Sequence, residues 1–263
     1  MVRKKYALFA APFIIFMLMM VVFPLCLLFW YAFTSDDGFT FQHFRDVFND
    51  NIAWTILGRS LWIAILAAVI CLLIAYPIAY GLTMTGFKRR TTILLLFTLP
   101  MWTNLLLRSI ALRNLFILVD ITPGFWALLI SLVVNFLPIT ILPIYIVLGN
   151  IDKKHLEASQ DLGATPRKVF TKTVLPLSMP GIIAAFILVF SPIVSTYFLS
   201  SFFGGGGSDW RMLGELLNIQ YRAGDIGVGR GSVLSLILLV LVGLSVLILN
   251  RFSKVGNKRG GLW

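Results

Sequence analysis

Residues 153–176 read KKHLEASQDLGATPRKVFTKTVLP, a polar stretch in a chain that is 59% hydrophobic with a mean hydropathy of +0.91. Its punctuation is that of two short helices. Asp152 stands where a carboxylate can accept from the free amides of a helix starting at Lys153. Gly163 can take the left-handed conformation that ends such a helix. Thr165-Pro166 then offers a second cap with proline at the first helical position, and the second helix runs through RKVFTKTV to Leu175-Pro176. Leu156 and Leu162 give the first helix an apolar edge, while Ala158 and Ser159 keep it slim enough for close docking. A solvated connecting loop would account for the polarity, but such loops seldom carry cap, stop, cap and stop in register. The stretch is expected to be a docking knob for another protein.

On either side the chain is apolar. Runs of about 20 residues can cross a bilayer, and six occur, at about 6–33, 60–85, 91–112, 124–148, 179–203 and 231–250. Any one could be a buried helix of a soluble domain. Six in series argue against that, as does a charged fraction of 13%, about half that of soluble proteins. The first run follows MVRKK, as a signal peptide would, but it is too long and carries bulky LLFWYAF where small residues belong. A retained span is expected. Residues 1–263 should therefore form one all-α transmembrane domain with six transmembrane helices.

The bias of lysine and arginine toward cytoplasmic loops sets the orientation. With the N-terminus inside, all nine lysines and six arginines fall on that side, at 3–5, 88–90, 153–172 and 251–259. Eight of the eleven acids fall outside. Both termini and the 152–176 loop are then cytoplasmic. A net charge of +11 can mark a nucleic-acid partner, but the membrane bias accounts for it, and no nucleic acid is expected.

Chemistry-bearing constellations are scarce. Cys26 and Cys71 lie within spans without metal-ligand spacing, and His43 and His155 stand alone. The sequence has no zinc pattern, phosphate loop or nucleophile elbow. GGGGSDW, 204–210, lacks the lysine and preceding strand of a phosphate cradle and reads as a flexible outer loop. No catalytic residue, cofactor or metal is expected.

Pro12, Pro24, Pro77, Pro100, Pro138, Pro143 and Pro192 lie inside the apolar runs. Each tends to kink its helix, and in lipid the freed carbonyls need a neighbouring helix or a water-lined cavity. Seven suggest broken helices around a pathway, though kinked packing also fits. LPMWTNLLLRS, 99–109, puts Trp102, Thr103, Asn104 and Arg108 in one run. Asn104 and Arg108 are four apart, hence on one helix face, with Arg108 near the outer end where it can snorkel. These residues, like Asn135, Ser191, Ser195 and Thr196, either line a pathway or hold helices together. FSPIVSTYF, 190–198, reads as a span interrupted at Ser191-Pro192.

Residues 157–176 resemble the EAA loop of ABC-importer permeases, E-A-A-x-x-x-G-x(9)-I-x-L-P. Glu157, Ala158, Gly163, Leu175 and Pro176 match at that spacing; Ser159 stands at the second alanine and Thr173 at the isoleucine. LPMWTNLLLRS, FLPITILPIY (136–145) and LEASQDLGA (156–164) together are similar to the spermidine/putrescine importer permeases. The outer segment 113–124 is shorter than in that family. The resemblance implies the type I ABC-importer permease fold in a bacterial cytoplasmic membrane. It also implies a second permease subunit, two copies of an ABC ATPase inside and a substrate-binding protein outside. Glu157, Ala158, Ser159, Asp161 and Gly163 would then couple to the ATPase.

A polyamine carries several ammonium groups, so carboxylates and aromatic faces should meet it. Trp102, Asn104, Tyr197, Asp120 and Asp225 are the candidates. The plainer alternatives are that Asp120 and Asp225 cap helices or pair with Arg113 and Arg222, and that the aromatics face lipid. A permease for another small solute stays open. A secondary transporter acting alone would want acids in mid-span, and a membrane enzyme would want a His, Cys or carboxylate constellation at depth. The sequence offers neither.

Overall fold

A computed structural model describes the backbone of residues 2–35, 38–84, 89–205 and 209–259. It describes the side chains in these ranges other than 2–11, 153, 225, 226, 248–250 and 252–259. The architecture is all-α. In chain order it runs α1 (Val2–Phe33), a ribbon of β1 (Thr34–Ser35) and β2 (Gly38–Phe39), α2 (Gln42–Asn49), α3 (Asn51–Met84) and α4 (Arg90–Thr98). A 3-10 turn (Leu99–Trp102), α5 (Leu105–Leu118), α6 (Phe125–Gly149), α7 (Lys153–Asp161) and α8 (Pro166–Val169) come next. A π segment (Phe170–Val174) then leads to α9 (Leu175–Ser195), α10 (Phe198–Phe203), α11 (Leu213–Arg222) and α12 (Asp225–Arg259). The ribbon is antiparallel, with Thr34 opposite Phe39 and Ser35 opposite Gly38.

Among the described residues, five helical stretches are long and apolar enough to cross a membrane: Pro12–Phe33, Asn51–Met84, Phe125–Gly149, Pro166–Ser195 and Gly227–Leu247. A sixth arises if Arg90–Trp102 and Leu105–Leu118, bent by 94° at Thr103-Asn104, count as one span. Two expectations change here. The run at 91–112 is a broken pair, because Pro100 starts a 3-10 turn and Asn104 starts a new helix. The run at 179–203 ends at Ser195, where Thr196 turns extended, and it begins as far back as Pro166. The second helix of the polar stretch therefore does not stop at Pro176. In α geometry a proline collides with the carbonyl four residues earlier, and the wider π turn at 170–174 accommodates it.

The chain divides into two compact units. One comprises Met1–Trp54 and Leu216–Val240. Within it Phe33 stacks on Phe39 and meets Phe41 edge-on, at 5.7 and 5.6 Å between ring centres. Asp46 pairs with Arg230 at 3.0 Å, and His43 lies where a side chain on Gly229 would stand. A cavity of about 810 Å³ opens among Tyr31, His43, Asp46, Tyr221 and Arg230. Residues 12–24 of α1 are exposed on every side.

The other unit comprises Thr55–Glu215 and Leu241–Trp263. Helices α6 and α9 pack most extensively in it. Gly181 permits their approach, since a Cβ there would lie 2.7 Å from Val147. Helix α3 buries Ala64, Ala67, Ala68, Cys71, Ala75 and Ala79 completely. Small residues at this helical spacing let backbones come close where lipid offers no hydrophobic drive between helices. Ala75 and Ala79 join Ile141, Ile144, Leu148, Val174 and Ala185 in one core cluster.

Candidate functional site

The polar stretch sits on that core. Asp152 caps α7 as its position suggests, its carboxylate accepting from the Lys154 amide at 3.0 Å. Gly163 has φ +76°, and its amide donates to the Gln160 carbonyl at 2.8 Å. Thr165 occupies the next N-cap position, but its hydroxyl makes no capping bond; Pro166 alone sets the first turn. Of the described α7 side chains, Leu156 and Ser159 are half-buried and the others exposed. Leu156 packs against the core cluster, whereas Leu162 is 89% exposed at the tip of the glycine turn. The two leucines thus do not share an edge: one anchors the helix and the other projects from it. Glu157, Ala158 and Asp161 are exposed on the same helix.

The two residues that depart from the EAA pattern touch each other. Ser159 Oγ and Thr173 Oγ1 are 3.0 Å apart, fourteen residues apart in sequence. On the far side of the π segment, Phe170 meets Tyr76 and Tyr80 of α3 edge-on, at 5.9 and 5.3 Å. Tyr76 in turn shares a hydrogen bond with Ser178 of α9 at 2.8 Å. The loop is therefore joined to two spanning helices.

The second candidate region is the break at Thr103-Asn104. Asn104 caps α5, its side chain accepting from the Leu106 amide at 2.8 Å. Arg108 does not snorkel outward. It donates through Nε to Asn135 Oδ1 at 2.6 Å, and through its terminal nitrogens to the carbonyls of Pro100 at 2.6 Å and Asn135 at 3.3 Å. Asn135 is 5% exposed and donates onward to the Ser131 carbonyl at 2.8 Å. The arginine thereby satisfies the end of the 3-10 turn and ties the bend to α6. Asn104 and Arg108, expected to share a polar face, have separate partners because the helix starts anew between Trp102 and Leu105. Trp102 ends the 3-10 turn and is 85% exposed.

The remaining sequence candidates fall elsewhere. Tyr197 lies at the break between α9 and α10, 46% exposed, its ring edge-on to Phe198. Asp120 has φ +54° and ends α5, its amide donating to the Ile117 carbonyl at 3.3 Å. Arg113 lies over the Phe202 ring at 5.4 Å. Asp225 begins α12, but its side chain lies outside the described residues. Among the described residues, no hydrogen bond, ion pair or ring contact joins Trp102, Tyr197 and Asp120 to one another. Ser195 bonds back to the Ser191 carbonyl at 3.2 Å, a local role within α9.

Sequence reading missed one knot. Buried Ser200 donates to Glu215 Oε2 at 2.5 Å and accepts from the Met212 amide at 2.9 Å. Arg211 lies 3.7 Å from the other Glu215 oxygen. This knot holds Trp210 and Met212 beside α10. An acid followed by Leu216-Leu217 was the available signal.

Residues 72–255 match the family described as "Binding-protein-dependent transport system inner membrane component". The chain belongs to this family. It is 32% identical over 230 residues to the spermidine/putrescine transport system permease protein PotB of Escherichia coli strain K12, covering 80% of this chain and 82% of that one. The PotB protein of Haemophilus influenzae is 30% identical and is covered, like this chain, over 91% of its length. The PotC permease of E. coli is 30% identical over 78% of this chain and 76% of its own. Among solved structures, a bacterial alginate ABC transporter in complex with a pentasaccharide-bound periplasmic protein superimposes with TM-score 0.73 at 15% identity, covering 96% of this chain and 95% of that chain. The MetNI methionine ABC transporter gives 0.60 at 20% identity, covering 79% and 99%. The fold is that of type I ABC-importer permeases. The chain is thus an inner-membrane component of a binding-protein-dependent transport system, and its curated relatives are transport permeases.

Proposed function

We propose that this chain is one of two permease subunits of an ATP-driven importer for polyamines of the spermidine/putrescine class. The observation that carries the coupling part is the 152–176 loop: a capped helix on the core, ending in a glycine turn that projects Leu162. A large apolar side chain left in water at a helix tip fits a pocket on a partner. The partners are two copies of an ABC ATPase inside, a second permease beside this one and a substrate-binding protein outside. This chain carries out no catalysis. ATP binding closes the ATPase pair, the docking helices follow, and the cavity between permeases exchanges its inward for its outward opening. Glu157, Ala158, Ser159, Asp161 and Gly163 transmit that movement.

The cargo rests on the likeness to PotB and PotC. Trp102 and Tyr197 are exposed at the two helix breaks, and their faces suit ammonium groups. Asn104 Oδ1 is taken up by its cap, so that residue shapes the pathway more than it touches cargo, while the exposed Asp120 stands in the turn after α5. Asp225 is the acid proposed to meet it directly. Both termini and the 152–176 loop face the cytoplasm, following the lysines.

The test is reconstitution with the ATPase, second permease and binding protein, followed by a screen of solutes for stimulated ATP hydrolysis. Stimulation by spermidine or putrescine is expected. Stimulation by a different solute alone would reassign the cargo and leave the importer intact. Ready labelling of a single cysteine at position 160 from outside intact cells would overturn the topology.

A further inference from the structure

We propose that Thr173 and Ser159 form a hydroxyl relay that positions the docking helix, making α7 and the head of α9 move as one body. The proposal rests on the reading of 152–176 as the coupling loop. The direction of the relay is set by chemistry. Ser159 Oγ is 2.8 Å from the His155 carbonyl, which can only accept, so the serine proton goes there. The bond between the two hydroxyls, at 3.0 Å, must then have Thr173 as donor and Ser159 as acceptor. Protons thus point from Thr173 to Ser159 to His155, each hydroxyl polarising the next.

Few other contacts restrain α7. Its neighbours in the fold are α8 and the π segment. Leu156 and Ser159, three apart on one face, are its two half-buried described side chains. Leu156 supplies non-directional packing. Ser159 supplies the directional bond, and that bond ends on the π segment, whose Phe170 is clasped by Tyr76 and Tyr80. A π turn inserted in an α-helix often marks a functional site. Here it turns Thr173 toward α7 and Phe170 toward α3. Without the relay α7 can rock about Leu156, and ATPase motion is lost as slack before it reaches α9.

The experiment uses the complete importer in proteoliposomes and reads solute taken up per ATP hydrolysed. Removing either hydroxyl breaks the one bond between them, and removing both breaks no more than that bond. Ser159→Ala and Thr173→Val should each lower uptake per ATP about fivefold, the effect of losing roughly one hydrogen bond. The Ser159→Ala/Thr173→Val double variant, which lacks that same one bond, should stay about fivefold below the parent, as the single variants do, and Thr173→Ser, which keeps the donor, should match the parent. Copurification of the ATPase with each variant checks folding and assembly. Single variants with parental uptake per ATP, or a double variant at the product of the two losses, would overturn the relay. Leu162→Asp separates this from the coupling reading. If Leu162→Asp loses the ATPase while the single variants behave as parent, the relay alone fails. If Leu162→Asp keeps full uptake, the coupling reading fails and the relay with it.

Discussion

The loop at 152–176 and the break at 99–105 both interrupt apolar helix with polar residues, yet they are stabilised differently. The loop is built locally: Asp152 caps it, Gly163 ends it and Pro166 restarts it, all within fifteen residues of one another. The break combines local caps with a distant partner. Its carbonyl at Pro100 accepts from Arg108 as well as from neighbouring Thr103, and Arg108 is held by Asn135, 27 residues on. The loop presents Leu162 and the break presents Trp102, each almost fully exposed. An exposed surface loop can be made from local turns. A bend within an apolar span needs a long-range polar partner, because the bilayer supplies no water to the freed backbone groups.

The strongest way to break this contrast is at Gly163. Proline there cannot adopt φ +76°, and Glu157→Lys reverses a charge on the same exposed face. Each is expected to leave the chain inserted while uptake and solute-stimulated ATP hydrolysis fall together by about tenfold or more, as a loss of over about 1.4 kcal/mol would give. Normal uptake by both would end the docking role. Next comes Arg108→Gln, which leaves the buried Asn135 Oδ1 without its donor, while the Pro100 carbonyl keeps Thr103. About 2–3 kcal/mol of stability should be lost, seen as a lower unfolding midpoint in detergent, with Arg108→Lys between the two. An unchanged midpoint would mean that the bend has other support.

Trp102→Ala sharpens the contrast from the other side. The side chain is 85% exposed, so the unfolding midpoint should not move. Uptake should slow about fivefold with basal ATP hydrolysis intact, as loss of one cation–π contact of about 1 kcal/mol would give. Full uptake would remove Trp102 from the pathway. The smallest effect is expected at Asp120→Gly. Relief of a left-handed aspartate should raise stability by under about 1 kcal/mol with uptake unchanged. Loss of uptake at unchanged stability would return Asp120 to the ligand.

The spans show how far sequence reasoning reaches. Apolar length pointed to 60–85 and 124–148, because twenty greasy residues leave the backbone little choice but helix, and the helices there run Asn51–Met84 and Phe125–Gly149. It did not show that the span ending at Ser195 reaches back through the π segment to Pro166. That depends on a π turn, which no local propensity announces. The proline inventory pointed to irregular helices. Among the seven, Pro100 is the one that marks a 94° bend, and the others stay within helices. The difference lies in its neighbours. Thr103 is extended and Asn104 is a cap, so a new helix can start directly after the 3-10 turn.

The sequence by itself determined the class of molecule, the one-sided distribution of its lysines and the turn chemistry of the 152–176 loop. These depend on composition and on residues within one or two turns of each other. The tertiary structure alone decided the partners of the polar side chains. Arg108 found Asn135 instead of water, Ser159 found Thr173, and Glu215 found Ser200. Each pairing joins segments that are distant in sequence or reversed in direction. A hydrogen bond of this kind depends on distances of about 3 Å that only packed helices set.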